Sequence, residues 1–467
     1  MKNIYSLISI LCISPLCAQI IDIPDAAFKS KLLSGTRVSV STAGNTFNTN
    51  ADTNDDGEID VNEALLVTGL NLSTTPANTN GDVTSLEGIQ YFTNLKYLNF
   101  TGNQVSGTFD ATIFPNLIDL YCNANNLTVL NVSGLGQLIS LRFHDNNVAV
   151  LDTEGLTNLE TLFFRGNDIT NIDLNNTPNL KNLYISGNNI NSLNVSMLQA
   201  LEVLICENSN VSELILGANP SLIEIVMPAN NLSSVDLTGL QSLNWLNVAA
   251  NSISDIDISV VPQMRQLEIS GNPIEEIDLS NSLSLEYLFI NNTLVSTIDC
   301  SATNIMGLHA SDNPNLVSIN VKNDVTSFSD PDMLFFAFML ENLPSLTSIC
   351  IDNGEQNNLI HTNYNSSGNV IVYTGENCEE IAAPASRKEF ELNLIKLYPN
   401  PVNNYLNINA DSDVDSVNIY TTEGKMIKSL QGESSINQID VSDLASGFYI
   451  INVTIQNKVY TGKILKN

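Results

Sequence analysis

The sequence predicts a mainly β solenoid, poor in helix, followed by a small antiparallel β-sandwich. Two observations predict it. The pattern Leu-x-x-Leu-x-apolar-x-x-Asn-x-apolar begins at Leu117 and recurs at Leu138, Leu159, Leu180, Leu201, Leu222, Leu243, Met264 and Leu285, each start 21 residues after the last. Beyond residue 392 that period gives way to short alternating segments separated by turns. A 21-residue unit cannot bury its apolar side alone; stacking successive units does so and builds a solenoid.

The chain opens with Met1-Lys2-Asn3, an apolar run over Ile4–Ile13, and Leu16-Cys17-Ala18. This reads as a secretory signal peptide over residues 1–18. Leu16 stands where lipid attachment to Cys17 needs a small residue. Residues 19–82 read as an N-terminal cap. Within it, Asp25–Leu33 has the spacing of a short amphipathic helix with Phe28 and Leu32 turned inward.

The same cap contains Asp52-Thr53-Asn54-Asp55-Asp56-Gly57-Glu58-Ile59-Asp60-Val61-Asn62-Glu63, which fits the twelve-residue EF-hand loop. Asp52, Asn54 and Asp56 offer side-chain oxygens, Glu58 its backbone carbonyl, and Asp60 and Glu63 complete the set. Gly57 supplies the sharp turn and Ile59 points to the core. Calcium is a hard cation that takes six to eight oxygens, and this spacing wraps them about one point. Val61–Thr68 is expected as the exiting helix. Thr42–Asn50 is too polar to be an entering one, so the loop resembles an isolated dockerin-like loop. Calcium is the expected cofactor, in a structural role; an acidic turn without metal is the alternative.

Residues 83–378 carry the repeat, with a further copy at Leu95 and a degenerate one at Ile305. Each copy predicts one short strand, as in Leu180, Leu183 and Ile185, followed by a turn at Asn188. The turn column is Asn in most copies; Ser209 and Thr293 replace it with a hydroxyl. A second period-2 pair, such as Ile172/Leu174 and Ile256/Ile258, predicts another extended segment per coil. These residues resemble the leucine-rich repeat family in its short, internalin-like form. The resemblance implies a curved array with a parallel sheet on its concave face. Met333–Leu340 reads as a buried helix packed on the last coils. Cys122, Cys206 and Cys300 take inward positions and read as free thiols. Cys350 and Cys378 flank the final coil, where either a disulfide or two thiols is compatible with the sequence.

Residues 379–391 read as a linker. Residues 392–467 then alternate through Tyr405–Ile408, Val414–Tyr420, Met426–Ser429, Ile436–Val441, Gly447–Ile455 and Lys458–Leu465. Leu397-Tyr398-Pro399-Asn400-Pro401, Ile419-Tyr420 with Gly424, Asp443-Leu444-Ala445-Ser446-Gly447-Phe448-Tyr449 and Lys463-Ile464-Leu465-Lys466 resemble the type A sorting domain of the type IX secretion system of Bacteroidetes. That resemblance implies passage across the outer membrane by this machinery, then removal of the domain with release or attachment at the cell surface.

The formal charge is −32, from 50 acidic and 18 basic residues. Nucleic acid is excluded as a partner, because phosphate contacts need Lys and Arg. No stretch is long and apolar enough to span a membrane. The three histidines, His144, His309 and His361, lie far apart, and no nucleophile, metalloprotease or phosphate-loop motif is present. We therefore expect no enzymatic activity.

Repeat register places Tyr121, Arg142, Phe163, Tyr184, Ile205 and Val226 in one outward column on the concave face, with His144 and Arg165 beside it. Aromatic side chains with arginine are the usual content of interface hot spots. The ligand-binding residues expected from this are Tyr121, Arg142, His144, Phe163, Arg165 and Tyr184, and the expected partner is a protein or a glycan. A second column, Asp152, Asp173, Asn194, Asp236, Asp257, Asp278 and Asp299, falls on the other extended segment and is either simply solvated or a further cation site. The sequence thus predicts a secreted or cell-surface recognition protein, with a passive surface-layer component as the alternative.

Overall fold

The computed structural model describes residues 19–74, 83–325, 338–353, 364–366, 370–374, 378, 395–398, 401–410, 413–421, 425–431, 436, 438–455 and 458–466. The expected signal peptide and linker lie outside them. The chain divides into two compact units, Met1–Ala382 and Ala383–Asn467.

The first unit is a parallel β solenoid. Among the described residues its main sheet has 14 strands, laid down in chain order from Val38–Ser39 and Gly69–Asn71 to Gly307–His309 and Phe338–Met339. The first pair is antiparallel and the others are parallel. From Asp119–Tyr121 to Tyr287–Phe289 each strand pairs with the next at the register of the repeat, as in Leu162 against Leu183. The middle residue of each such strand is buried and its two neighbours face outward. One apolar core therefore runs unbroken from Ile21 to Ile351.

Turn chemistry locks the coils together. Asn125, Asn146, Asn167, Asn188, Asn230, Asn251 and Asn272 are buried. Each donates to a carbonyl three residues back and to a carbonyl in the preceding coil, 25 residues back for Asn125 and 24 for the others. The amide thus supplies buried carbonyls that the turn removes from any ladder. Ser209 recovers only part of this: its hydroxyl donates to Glu207 O at 2.9 Å.

The second extended segments form ladders in only some coils: Ser192–Asn194 with Glu213–Ile215, and Thr297–Asp299 with Ser318–Asn320, are examples. No ladder joins Asp152 to Asp173, or Asp236, Asp257, Asp278 and Asp299 to one another. Like charges directly opposite oppose strand pairing; Asp299 joins a ladder where its opposite residue is Asn320. Each aspartate instead accepts the N–H two residues on, as Asp236 does from Thr238 at 2.9 Å and Asp278 from Ser280 at 2.9 Å. This local turn fixes the aspartate side chains along the column.

Two expectations about helix are corrected. Val61–Thr68 is not one helix: the helical part is Val61–Ala64, and the chain then enters strand Gly69–Asn71. Thr68 is drawn toward Ser41, whose carbonyl accepts from its hydroxyl at 2.6 Å. In the run Met333–Leu340, Phe338–Met339 is a strand paired with Leu308–His309, so the main sheet continues where a helix was expected; residues 333–337 lie outside the described residues. Cys350 and Cys378 form a disulfide. Cys122, Cys206 and Cys300 are buried free thiols, and burial pushes the Cys206 thiol up to about 12.

The second unit holds a four-stranded antiparallel sheet, containing Met426–Gln431, Ser416–Thr421, Gly447–Ile455 and Lys458–Lys466, and a three-stranded one of Ile395–Tyr398, Tyr405–Ala410 and Gln438–Asp440. Val417, Ile419, Ile451 and Val453 are among its core residues. Tyr449 donates its hydroxyl to Ala445 O at 2.8 Å, fixing the turn before its strand.

Candidate functional site

Two candidate sites sit on the first unit. The first lies on the concave sheet face. Because residues flanking each buried leucine point outward, Tyr121, Arg142, Phe163 and Tyr184 fall on four consecutive strands in exact register. They touch in two groups, Tyr121 with Arg142 and Phe163 with Tyr184, set side by side by the strand pairing. The Arg142 guanidinium lies 5.1 Å from the Tyr121 ring centre. Phe163 and Tyr184 are 5.2 Å apart and tilted, and His144 lies 4.4 Å from Phe163. Arg165 reaches Asp145 at 3.7 Å, and His144 Nδ1 meets the same carboxylate at 2.9 Å. The six expected residues thus adjoin one another. Arg142 and Arg165 are exposed and the aromatic rings half-buried.

The series runs further toward the N-terminus than the sequence reading had it. Tyr97 packs edge-on against Tyr121 at 5.4 Å, and Phe47 of the cap reaches Tyr97 at 5.1 Å. Asp119 accepts from the Tyr121 hydroxyl at 3.2 Å, while burial pushes its carboxyl above the usual range against that bond and the nearby Arg142. Tyr97 lies within the repeat register, paired with Asp119 on the strand before Tyr121's. Phe47 stands outside that register. At the other end Val226 is buried, so the exposed series stops short of it.

The second candidate is the acidic loop. Asp55 and Gly57 adopt left-handed backbone, with φ of 58° and 84°. Asp52 Oδ2 accepts Gly57 N at 2.8 Å and its Oδ1 accepts Asp56 N at 3.2 Å. Asn54 Oδ1 accepts Asp56 N, and Asp56 Oδ1 accepts Glu58 N, each at 2.9 Å. Glu63 Oε1 accepts Thr53 N at 2.7 Å, and Oε2 accepts Asp60 N at 2.9 Å, closing a capping box on the helix Val61–Ala64. The Glu58 side chain turns away to Lys29 at 2.5 Å, leaving only its carbonyl to the loop. Ile59 is fully buried.

The donor chemistry of this loop fits calcium. Asp52, Asp56, Asp60 and Glu63 supply carboxylates and Asn54 an amide oxygen, and Asp52 and Glu63 are nearly buried without an ion-pair partner among the described residues. The geometry is that of a loop closed by its own hydrogen bonds. Among the described residues no three His, Cys, Asp or Glu side chains gather as a metal centre.

His144 follows the strand Ser140–Arg142 and His309 lies on the strand Gly307–His309, each against a phenylalanine ring. The described residues contain no helix long and apolar enough to cross a membrane.

Residues 396–467 match the family model for a secretion system C-terminal sorting domain. No curated protein matches the sequence significantly. Among solved structures, the functional domain of InlJ from Listeria monocytogenes aligns with a TM-score of 0.54 and 21% identity, over 95% of this chain and 97% of that one. An internalin, InlF, from the same organism aligns with a TM-score of 0.48 and 19% identity, over 76% and 91% of the two chains. The likeness to InlJ is one of fold. The protein is a leucine-rich repeat solenoid that carries a type IX secretion sorting domain at its C-terminal end. That domain makes it secreted or displayed at the cell surface.

Proposed function

We propose that this protein is a recognition or adhesion protein that binds a protein or glycan through the concave face of its solenoid, at Tyr121, Arg142, His144, Phe163, Arg165 and Tyr184. The observation that carries this reading is the contact series itself. Arginine and aromatic rings lie side by side on adjacent strands of an otherwise acidic protein, partly exposed and joined by contacts of 4.4–5.2 Å. Such groups offer large contact area at small entropic cost. The type IX secretion machinery is the second partner, met by the sorting domain.

We further propose that calcium is a structural cofactor of the cap, held by Asp52, Asn54, Asp56, Glu58, Asp60 and Glu63. The cap closes the exposed apolar end of the first coil, which repeat proteins require.

The test is a binding screen against glycans and extracellular proteins in the presence of calcium, followed by the double variant Arg142→Ala, Phe163→Ala on any partner found. Loss of more than about 2 kcal/mol of binding free energy is expected. Unchanged affinity would remove the series from the reading, and a screen without any partner would favour a passive surface component.

A further inference from the structure

We propose that the later half of the concave face, at Glu224, Trp245 and Glu268, is a separate recognition surface that takes an arginine or lysine side chain presented by a protein segment. It rests on the recognition role of this sheet, but on other coils than the aromatic series.

Register brings the three residues together. Trp245 pairs directly with Glu224 on one side and Gln266 on the other, and Glu268 follows Gln266 on that next strand. With strands about 4.8 Å apart, Glu224 stands directly beside Trp245 and Glu268 diagonally across from it, opposite Asn247. The Trp245 Nε1–H is buried and has no acceptor. The Glu224 side chain has no hydrogen bond or ion pair among the described residues. The Glu268 carboxylate is bonded only by Ser270 among the described residues, through its backbone N–H at 3.1 Å and its side chain. Phe289 lies opposite Glu268 on the next strand.

Charge complementarity then selects the occupant. Between residues 182 and 321 the one lysine or arginine is Arg265, and it is held by Glu286 at 2.7 Å on the flank of the sheet. The face therefore presents carboxylates and aromatic rings, with His309 two strands beyond Trp245's neighbour Gln266, and no free lysine or arginine. Burial pushes the Glu224 carboxyl above the usual range, and pushes Glu268 up against its bonds to Ser270; both carboxylates gain from a cation brought alongside. A guanidinium or ammonium group over the indole engages the ring face while it donates to a carboxylate. Neutral sugars bring no such charge.

Trp245 is the single tryptophan of the chain, so its emission reports this surface alone. The full chain is titrated with acetylated tetra-arginine amide and tetra-lysine amide at 150 mM salt, with tetra-glutamate as the opposite charge. A saturable change in Trp245 emission is expected with the basic peptides only. The variant Glu224→Gln, Glu268→Gln should weaken binding about tenfold, while Glu275→Gln, Glu276→Gln, which removes two exposed charges elsewhere, should change it less than about twofold. If the double variant fails to fold, Glu224→Gln alone should weaken binding about threefold. Silence of Trp245, or equal losses in both double variants, would overturn the proposal, the latter by showing attraction to bulk charge only. Arg142→Ala, Phe163→Ala should leave the titration unchanged, so failure of the aromatic series as a ligand surface would be seen separately.

Discussion

Asn167 Nδ2 donates to the carbonyl of Phe143, one coil back, at 3.1 Å, and to Phe164 O in its own coil at 2.9 Å. Its Oδ1 accepts Val148 N at 3.0 Å. One buried amide thus satisfies three backbone groups and ties two coils together. Replacing it with alanine leaves those groups without a partner, each costing about 1–3 kcal/mol. Asn167→Ala is therefore expected to lower stability in urea by at least about 2 kcal/mol. Asn167→Ser should recover part of it, since Ser209 makes part of the same bonding in its own coil. An alanine variant as stable as the parent would deny the column its role.

How far the sequence led is clearest in the two outward columns. Because a strand alternates with period 2, the leucine positions alone put Arg142 and Phe163 side by side, and the structure pairs them. The repeat says nothing of residues that lie outside its period. Phe47 joins the aromatic series from the cap, and its sequence neighbourhood carries no periodicity. Gly69 packs so tightly on Gly44 that a side chain there would strike the Gly44 carbonyl at 1.8 Å. That packing fixes the start of the strand Gly69–Asn71, which begins where the expected helix ends. Phe338–Met339 was misread for a different reason: a short apolar run has no period that separates strand from helix. The acidic loop was legible as donor types and spacing, which is a statement about chemistry; which lone pairs the backbone N–H groups occupy emerges only from the folded geometry.

Acidity should stabilise this protein before it unfolds it. Burial raises Asp119, Glu224 and Glu268 in the folded state. The folded protein then binds more protons than the unfolded one above the ordinary carboxylate pKa, so stability rises as pH falls through those raised values. Asp25 behaves oppositely. Burial pushes its carboxyl up, but bonds from Phe28 N, from Thr84 and from Ser85 N outweigh this and hold it low. Its contribution is present above the unfolded value and is lost as pH falls through the lower folded one. Stability in EDTA should therefore peak between about pH 4 and 5 and fall below it. Urea midpoints at pH 7, 5 and 3 check this; a monotonic decline from pH 7 would contradict it.

The disulfide closes the end of the solenoid. Cys350 lies in strand Ser348–Ile351, the partner of Ile371–Thr374, and Cys378 follows 28 residues later. Cross-linking a loop of that length is worth about 3–4 kcal/mol in the chain-entropy model. Cys350→Ala with Cys378→Ala should lose about that much for the C-terminal coils, read by hydrogen exchange over residues 338–353. Cys122, Cys206 and Cys300 provide the control: buried, with thiols pushed up by desolvation, they should resist alkylation in the folded protein and react on denaturation. Labelling of Cys350 or Cys378 in the unreduced folded protein would contradict the bond.

Calcium removal offers the sharpest test of the cap, provided the variant is chosen from the geometry. Glu63 is a poor choice, because its carboxylate also receives Thr53 N, Asn54 N and Asp60 N; Glu63→Ala would destabilise the cap even in EDTA. Asp56 is exposed and accepts only Glu58 N at 2.9 Å among the described residues. Asp56→Ala should therefore match the parent in EDTA and differ from it only when calcium is added. A ligand at 100 times its dissociation constant stabilises by about 2.7 kcal/mol, so the parent should melt about 2–5 °C higher in millimolar calcium and Asp56→Ala should not. A parent with the same melting temperature in EDTA and in calcium would reduce the loop to a turn closed by its own hydrogen bonds, and the cap would then owe its order to the packing of Phe28, Leu32 and Ile59 alone.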